Sequence, residues 1–598
     1  VGIKSLDLSA LAAAFAAGLT PAELVDHVYA RLAAVDDPGI FITLRSPEAV
    51  LADYAALGRY DPAKPLWGVP FAVKDNIDVA GLPTTVACKE FAYQPAATAE
   101  SVARLERAGA VVIGKVNLDQ FATGLVGVRT PYPAPRNAVD PTLVPGGSSS
   151  GSGVVVAQGI VSFALGTDTA GSGRVPAALN NIVGLKPSCG LVSTRGVFPA
   201  CRSLDCVTVF AATVDDAYTV LEQCAGYDPE DPFSRRLPFG PPVAPPAPRI
   251  GIPSLASEHF LGHGIAAAAF RTALENPAFA DASFVEVDMA PFAETAQLLY
   301  DGPWVGERYQ SVRAFMETQA DCLHPVTRRI IESARSYSAA DAFAGLHRLA
   351  ELKRQVAAVW AEIDILAVPT IPGIVTLAEV VADPLKWNSE LGTYTNFTNL
   401  LDLAALAVPG PFRSDGRPAG ITLMAPAGQD ARLAGFGALF HAATGLAIGA
   451  TGVPVPPPKP RKAASDLIEI VVVGAHLSGM PLNREITALG GVFVRAVATA
   501  PLYRLYALPG GPPHRPGLVR VSDGSGSRIA TEIWALPPDG FGRFVAGVPA
   551  PLCIGTLALA DGTTAKGFLC ESDGLRGAAD ISHHGGWRPF VADMEQTA

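Results

Sequence analysis

The sequence predicts an α/β protein with a second, smaller, strand-rich domain. Three observations carry this. Short apolar runs alternate with helical patterns through the first part of the chain, as in sheets layered with helices. A stiff proline-rich stretch, Val453-Pro454-Val455-Pro456-Pro457-Pro458-Lys459-Pro460-Arg461-Lys462, then interrupts it. Beyond that stretch the composition turns to closely spaced strand-like runs.

Taken in order, Leu8 to Leu19 is an apolar segment preceded by Asp7 with no cleavage site after it, and it reads as a surface helix rather than a signal core. Thr20-Pro21-Ala22-Glu23 is a helix start, with Thr20 as cap, Pro21 in the first turn and Glu23 reaching back. Leu24, Val25, Val28, Tyr29 and Leu32 continue it at helical spacing. Trp67 to Val73 is a buried strand that carries Lys74 at its end. Ser101 to Ala108 is helical, and Ala110 to Ile113 is a strand. Leu237 to Pro248 is a proline-rich surface connection, about 250–361 is a helical insertion, and Ile363 to Pro369 returns to strand. In the second domain, Leu467–Val473, Leu502–Leu508, Leu518–Val521, Ala530–Leu536, Arg543–Val548 and Thr564–Leu569 all read as strands. The expected division is 1–452, a linker at 453–465, and a domain of roughly 130 residues at 466–598, large enough to fold alone.

The 598 residues exceed one ordinary core. Apolar residues make up 49% and charged ones 17%, the balance of a globular chain with a large interior. A net charge of −11 argues against nucleic acid or an anionic membrane as partner, and no stretch reads as a membrane span. The eight cysteines include no Cys-x-x-Cys pair, so they read as reduced thiols in a cytoplasm. Cys88, near Lys74, is the alternative candidate for a reactive thiol. His583-His584 has no further ligand cluster around it, so no metal is expected.

Two glycine-rich segments carry the chemistry: Pro145-Gly146-Gly147-Ser148-Ser149-Ser150-Gly151-Ser152 and Gly166-Thr167-Asp168-Thr169-Ala170-Gly171-Ser172-Gly173-Arg174-Val175-Pro176. No Gly-Lys-Ser/Thr follows, so the first is not a phosphate loop. As a Gly-x-Ser-x-Gly elbow it would make Ser149 a nucleophile, but Pro145 stands where a strand should lead in. In the second, glycines let successive N–H groups turn toward one point, as an oxyanion hole requires. A serine nucleophile needs a proton acceptor, and neither loop has a histidine. That leaves Lys74 as the candidate base.

This combination resembles the amidase-signature family. The likeness runs from Trp67-Gly68-Val69-Pro70-Phe71-Ala72-Val73-Lys74-Asp75 through Gly114 to Asp119 and on to Gly184-Leu185-Lys186-Pro187-Ser188. Ser150 and Ala170 stand where many members have glycine. The resemblance implies a mixed sheet flanked by helices, with Ser172 as nucleophile, Ser148 as bridging serine on a cis Gly147-Ser148 peptide, and Lys74 as base. It also implies an oxyanion hole from the N–H groups of Thr169, Ala170, Gly171 and Ser172. Lys115, Lys186 and Arg174 would be structural. For Lys74 to accept a proton, its pKa has to fall by about three from a free value near 10.4, at a cost of about 4 kcal/mol of lost ammonium solvation.

Three features resemble the allophanate hydrolase branch of that family. They are Asp119 to Leu125 followed by Arg136-Asn137, the segment Leu299 to Tyr309, and the second domain from Val473-Gly474-Ala475-His476 to Asn483. By this likeness Tyr300 and Arg308 hold a substrate carboxylate, with Gly124 nearby, and an arginine fork suits that group. The substrate would be allophanate, a small anionic amide. His476 would assist decarboxylation in an α+β domain of γ-glutamyl-cyclotransferase-like fold. The resemblance further implies no cofactor, a homodimer, and a urea carboxylase or cyanuric-acid breakdown as substrate source. A broader small-amide amidase with an assembly module as its tail, and a non-enzymatic amidase-like partner protein, are the competing readings.

Overall fold

The computed structural model describes residues 3–242, 244, 247–255, 260–458 and 467–597. The described chain divides into two compact units. The first comprises 1–237, 250–280 and 284–459, and the second 238–249, 281–283 and 460–598. Residues 459–465 of the expected linker lie outside the described residues.

The first unit is built on β1 (Phe41–Leu44), β2 (Pro70–Lys74), β3 (Val111–Val116), β4 (Phe163–Thr167), β5 (Val183–Lys186), β6 (Val207–Ala211), β7 (Arg249–Pro253), β8 (Ser283–Val287), β9 (Ile365–Pro369), β10 (Leu403–Gly410) and β11 (Ala419–Pro426). They form one 11-stranded sheet in the order β1-β3-β2-β4-β6-β5-β10-β11-β9-β7-β8. Pairing is mixed: β2 runs parallel to β3 and β4, while β4, β6, β5, β10, β11 and β9 follow one another antiparallel. Every residue of β2, β3, β4, β5 and β6 is buried. Strands covered on both faces read as unbroken apolar runs, and that is why Pro70 to Val73 lacks polar alternation.

Helices cover the sheet. Pro21–Val35 begins with the capping box expected at Thr20 and Glu23, and Leu8–Ala16 buries Leu8, Leu11 and Phe15. The central helix Ser150–Ala157 rises directly from the first glycine-rich loop and is buried throughout. The 250–361 region contains Gly264–Leu274, Ala290–Tyr300, Val305–Gln319, Pro325–Glu332 and Ala339–Glu362, together with most of β7 and all of β8.

The second unit has a five-stranded sheet over Ile468–Val472, Val492–Ala498, Ala530–Leu536, Leu552–Ala558 and Thr564–Cys570, and a three-stranded sheet over Tyr503–Ala507, Pro516–Arg520 and Ala579–Asp580. Ile470, Val471, Val472, Ile533, Trp534 and Leu536 anchor its core. One expectation fails here. Arg543–Val548 is not a strand, because Pro538–Ala546 is a helix that starts with proline in its first turn and buries Gly540 and Phe544. The apolar run Phe544-Val545-Ala546 is too short to separate the two periods. Val492–Ala498 and Leu552–Ala558 are strands that the sequence reading passes over.

Candidate active site

Lys74 ends β2, an internal strand of the sheet, with no solvent exposure. Its Nζ lies 2.8 Å from Ser148 Oγ and 2.8 Å from Thr167 Oγ1, at the end of neighbouring β4. Asn76 Nδ2 donates to the same threonine at 3.3 Å. Among the described residues no carboxylate lies within 4 Å of this amine. The adjacent buried Lys115 differs, since it pairs with Asp75 Oδ1 at 3.1 Å. Burial pushes Lys74 down to about 7; Asp119, Asp205 and Asp168 oppose this, and Arg308 adds to it. An amine without a counter-ion in a dry site gives up its proton rather than its solvation. That shift brings Lys74 toward the range a general base working near neutral pH requires.

Ser148 sits on the glycine-rich loop ahead of the central helix, and the Gly147–Ser148 peptide is cis. Asp119 N donates to Ser148 O at 3.0 Å. Gly147 admits no side chain, because a Cβ there would stand 2.0 Å from Asp119 Oδ2. Ser149 faces away from the amine, its Oγ donating to Thr167 O at 3.1 Å.

Ser172 lies on the second loop, between β4 and the short helix Val175–Leu179, and is almost fully buried. Among the described residues no hydrogen bond joins the Ser172 and Ser148 hydroxyls. A buried carboxylate and guanidinium shape this loop: Arg174 Nε and Nη2 reach Asp168 Oδ2 and Oδ1 at 2.9 and 3.0 Å. Burial pushes Asp168 upward, but the charge and hydrogen bonds of Arg174 outweigh it and hold the carboxyl below its ordinary value. Asp168 also takes the N–H of Gly171 at 2.7 Å and of Gly173 at 2.9 Å. The Gly171 N–H is thus engaged, whereas the expected oxyanion hole included it. The N–H groups of Thr169, Ala170 and Ser172 have no partner among the described residues. Gly171 has φ +128, and a Cβ there would meet Thr395 Oγ1 at 2.3 Å. That hydroxyl donates to Ala170 O at 2.7 Å, and Asn399 Nδ2 donates to Asp168 O at 2.7 Å.

Asp205 closes the other side of the loop. It accepts Thr169 Oγ1–H at 2.5 Å and the N–H groups of Ala200 and Cys201, and burial pushes it up to about 6.

The expected carboxylate anchors come together. Arg308, in the helix Val305–Gln319, is 2% exposed and donates to Tyr300 Oη at 3.1 Å and to Thr123 Oγ1 at 3.2 Å. Its guanidinium carbon lies 5.0 Å from the centre of the Tyr300 ring. Gly124 follows Thr123 on the same turn, where a Cβ would stand 2.5 Å from Asp119 Oδ2. A cavity of about 670 Å³ is lined by Tyr300, Asn388, Thr393 and Asn396. Cys88 is buried, and burial pushes its thiol up to about 11, away from the range of a reactive thiolate.

His476, in the second unit, shares no such network. It follows the strand Ile468–Val472, stacks on Phe568 at 5.3 Å with 16° between planes, and meets the edge of Phe544 at 5.0 Å. Nε2 lies 3.0 Å from Glu485 Oε2. Burial holds its pKa below the ordinary histidine value, with Glu485 opposing. Among the described residues no group of three His, Cys, Asp or Glu is placed to hold a metal ion.

Thr167 stands inside the second glycine-rich motif, but sequence reasoning gives it no role. Its place at the end of a strand beside Lys74's own was the available signal. Thr395 and Asn399, more than 220 residues from the loop they brace, left none.

The Amidase family matches residues 23–434. The chain belongs to that family. Residues 468–592 match the allophanate hydrolase C-terminal domain. The urea amidolyase of Saccharomyces cerevisiae is 41% identical over 573 residues, 93% of this chain and 31% of that protein. That of Lachancea kluyveri is 43% identical over 549 residues, 89% of this chain and 30% of that protein. The structure of Kluyveromyces lactis allophanate hydrolase is similar with a TM-score of 0.78 and 39% identity, covering 98% of this chain and 99% of that one. The chain spans about a third of the length of the urea amidolyases it matches. It is homologous to urea amidolyase and to allophanate hydrolase, with a mixed α/β fold and a separate sheet-containing C-terminal domain. Among the described residues no helix is long and apolar enough to cross a membrane.

Proposed function

We propose that this chain hydrolyses allophanate through an acyl-Ser172 intermediate. The observation that supports this most is the buried Lys74 amine at 2.8 Å from Ser148 Oγ, in the unit that also pairs Arg308 with Tyr300. The first arrangement is an engine for amide cleavage, and the second is a receptor for a carboxylate.

Ser172 Oγ attacks the terminal carbamoyl carbon. Its proton passes to Ser148 Oγ, whose own proton moves to Lys74 Nζ. The Ser172–Ser148 hydrogen bond forms on substrate binding, since catalytic hydrogen bonds often tighten only in the complex. The carbonyl oxygen becomes an oxyanion facing the free N–H groups of Thr169, Ala170 and Ser172, where fixed dipoles stabilise the developing charge. Lys74 returns the proton, through Ser148, to the departing nitrogen, and ammonia leaves. Water, deprotonated by the same route, splits the ester and frees N-carboxycarbamate. Loss of carbon dioxide from that product, with a proton taken up at nitrogen, gives carbamate. We assign its assistance to His476 and Glu485 in the second unit. None of these steps draws on a cofactor. Formation of the substrate by a urea carboxylase, a homodimeric assembly and a cytoplasmic setting complete the proposal.

The test is ammonia release by the purified chain from allophanate, malonamate and uncharged amides, with Ser172→Ala as control. Turnover of allophanate that disappears in Ser172→Ala supports the reading. Activity confined to uncharged amides overturns the substrate, and an active Ser172→Ala overturns the site.

A further inference from the structure

Arg308 is not the only buried cation at the substrate side. Arg129 is also 2% exposed, and it too contacts the Ala122-Thr123-Gly124 turn. Its Nη1 donates to Thr123 O at 3.0 Å, while Arg308 Nη1 donates to Thr123 Oγ1 at 3.2 Å and points at Ala122 O from 3.4 Å. Arg129 Nη2 reaches across to Pro384 O at 2.9 Å, and nearby Leu125 N donates to Asn388 Oδ1 at 2.7 Å. The turn is thus fastened to the wall of the 670 Å³ cavity, which Asn388 and Tyr300 line.

The charge count around this turn does not close. Among the described residues no carboxylate lies within 4 Å of either guanidinium. The nearest anion in the same loop, Asp119, spends its two oxygens on the N–H groups of Gly127 and Arg129, each at 2.9 Å. Both Nε atoms are buried with no hydrogen-bond partner. Burial pushes the Arg129 guanidinium below its ordinary value; Asp119 and Tyr300 oppose this, and Arg308 adds to it. Arginine nonetheless stays charged. Two buried cations sharing one turn without a counter-ion are costly to hold. A bound carboxylate removes that cost.

We propose that Arg129 is a second, positioning cation of the anion-binding side, acting with Arg308 through the Thr123 turn to favour amides that carry a carboxylate. This rests on the functional reading above and adds to it a residue that the sequence did not single out. Arg129 acts through the turn it holds and through its field, without touching the substrate.

The experiment compares malonamate, which carries a carboxylate, with malonamide, in which a neutral amide replaces it. Wild type, Arg129→Gln, Arg129→Lys and Arg308→Gln are assayed as full chains. In Arg129→Gln, KM for malonamate rises about tenfold while kcat and all constants for malonamide stay within twofold. Arg129→Lys, which keeps the charge, restores KM for malonamate to within threefold. A parallel loss on both substrates makes Arg129 merely structural and overturns the proposal, as does an unchanged KM for malonamate. If Arg129→Gln does not fold, Arg129→Lys decides alone, and a tenfold rise there overturns the role of charge. Arg308→Gln separates the two levels. If it too fails to discriminate between the substrates, the carboxylate reading itself falls; if it discriminates and Arg129→Gln does not, only the present inference falls.

Discussion

Lys74 and His476 hold comparable places in their units, one at the end of a buried strand and the other just beyond one, yet their surroundings differ in kind. Lys74 is sealed, with two hydroxyls at 2.8 Å and no carboxylate within pairing distance among the described residues. His476 keeps 16% of its side chain exposed, lies between two phenylalanine rings, and leans on a glutamate that is itself 53% exposed. Enclosure lowers the pKa of the amine. Partial exposure lets the imidazole exchange protons with water while aromatic packing holds its orientation. The first arrangement suits a relay that must return each proton to the molecule it came from. The second suits a group that draws on solvent.

Substitutions in the first unit should break this contrast most severely. Lys74→Met, which removes the base and keeps the bulk, should lower kcat/KM for allophanate by a factor on the order of 10³ or more, as for groups that act as one unit. Circular dichroism should show the fold retained, and residual activity within tenfold of wild type would refute the relay. The pH profile follows from the same amine. Below pH 7 the ammonium has no lone pair, and above it the free amine dominates. The acidic limb of kcat/KM should therefore rise with pH through about 7, well below the ordinary lysine value near 10.5.

Thr167→Val should cost less, about 10- to 100-fold in kcat, because Lys74 keeps its burial but loses one of the two oxygens that aim it. His476→Ala should sharpen the comparison from the other side. Release of the first ammonia should stay within about twofold, while carbon dioxide release lags behind it by about tenfold, short of the roughly 10²-fold or more that a positioned proton-transfer group can supply. Equal slowing of both would deny the two units separate tasks. Asp205→Asn should have the smallest effect, under about tenfold, since it weakens the braces on Thr169, Ala200 and Cys201 and removes one distant charge acting on Lys74 while leaving every reacting group in place.

The unequal legibility of the two units in the sequence has the same physical root. Backbone-dependent chemistry needs glycine at fixed spacing, so Gly147, Gly171 and their neighbours announce the first site along with the strand-end lysine. Capping chemistry likewise makes the helix from Pro21 readable to the residue. Tertiary braces leave no such trace. Thr395, Asn399 and Arg129 are ordinary residues until the fold delivers them to the loops they hold. In the second unit, the aromatic slot around His476 is assembled from Phe544 and Phe568, far apart in sequence, and the helix that carries Phe544 reads as a strand until its proline start is weighed. A histidine beside a strand carries little information until those rings are in place.

The second unit also takes in 238–249 and 281–283, two excursions from the middle of the chain. A cut at the prolines therefore leaves 238–249 and 281–283 on the first fragment. Point substitutions separate the two proposed tasks without detaching those segments from the rest of their unit.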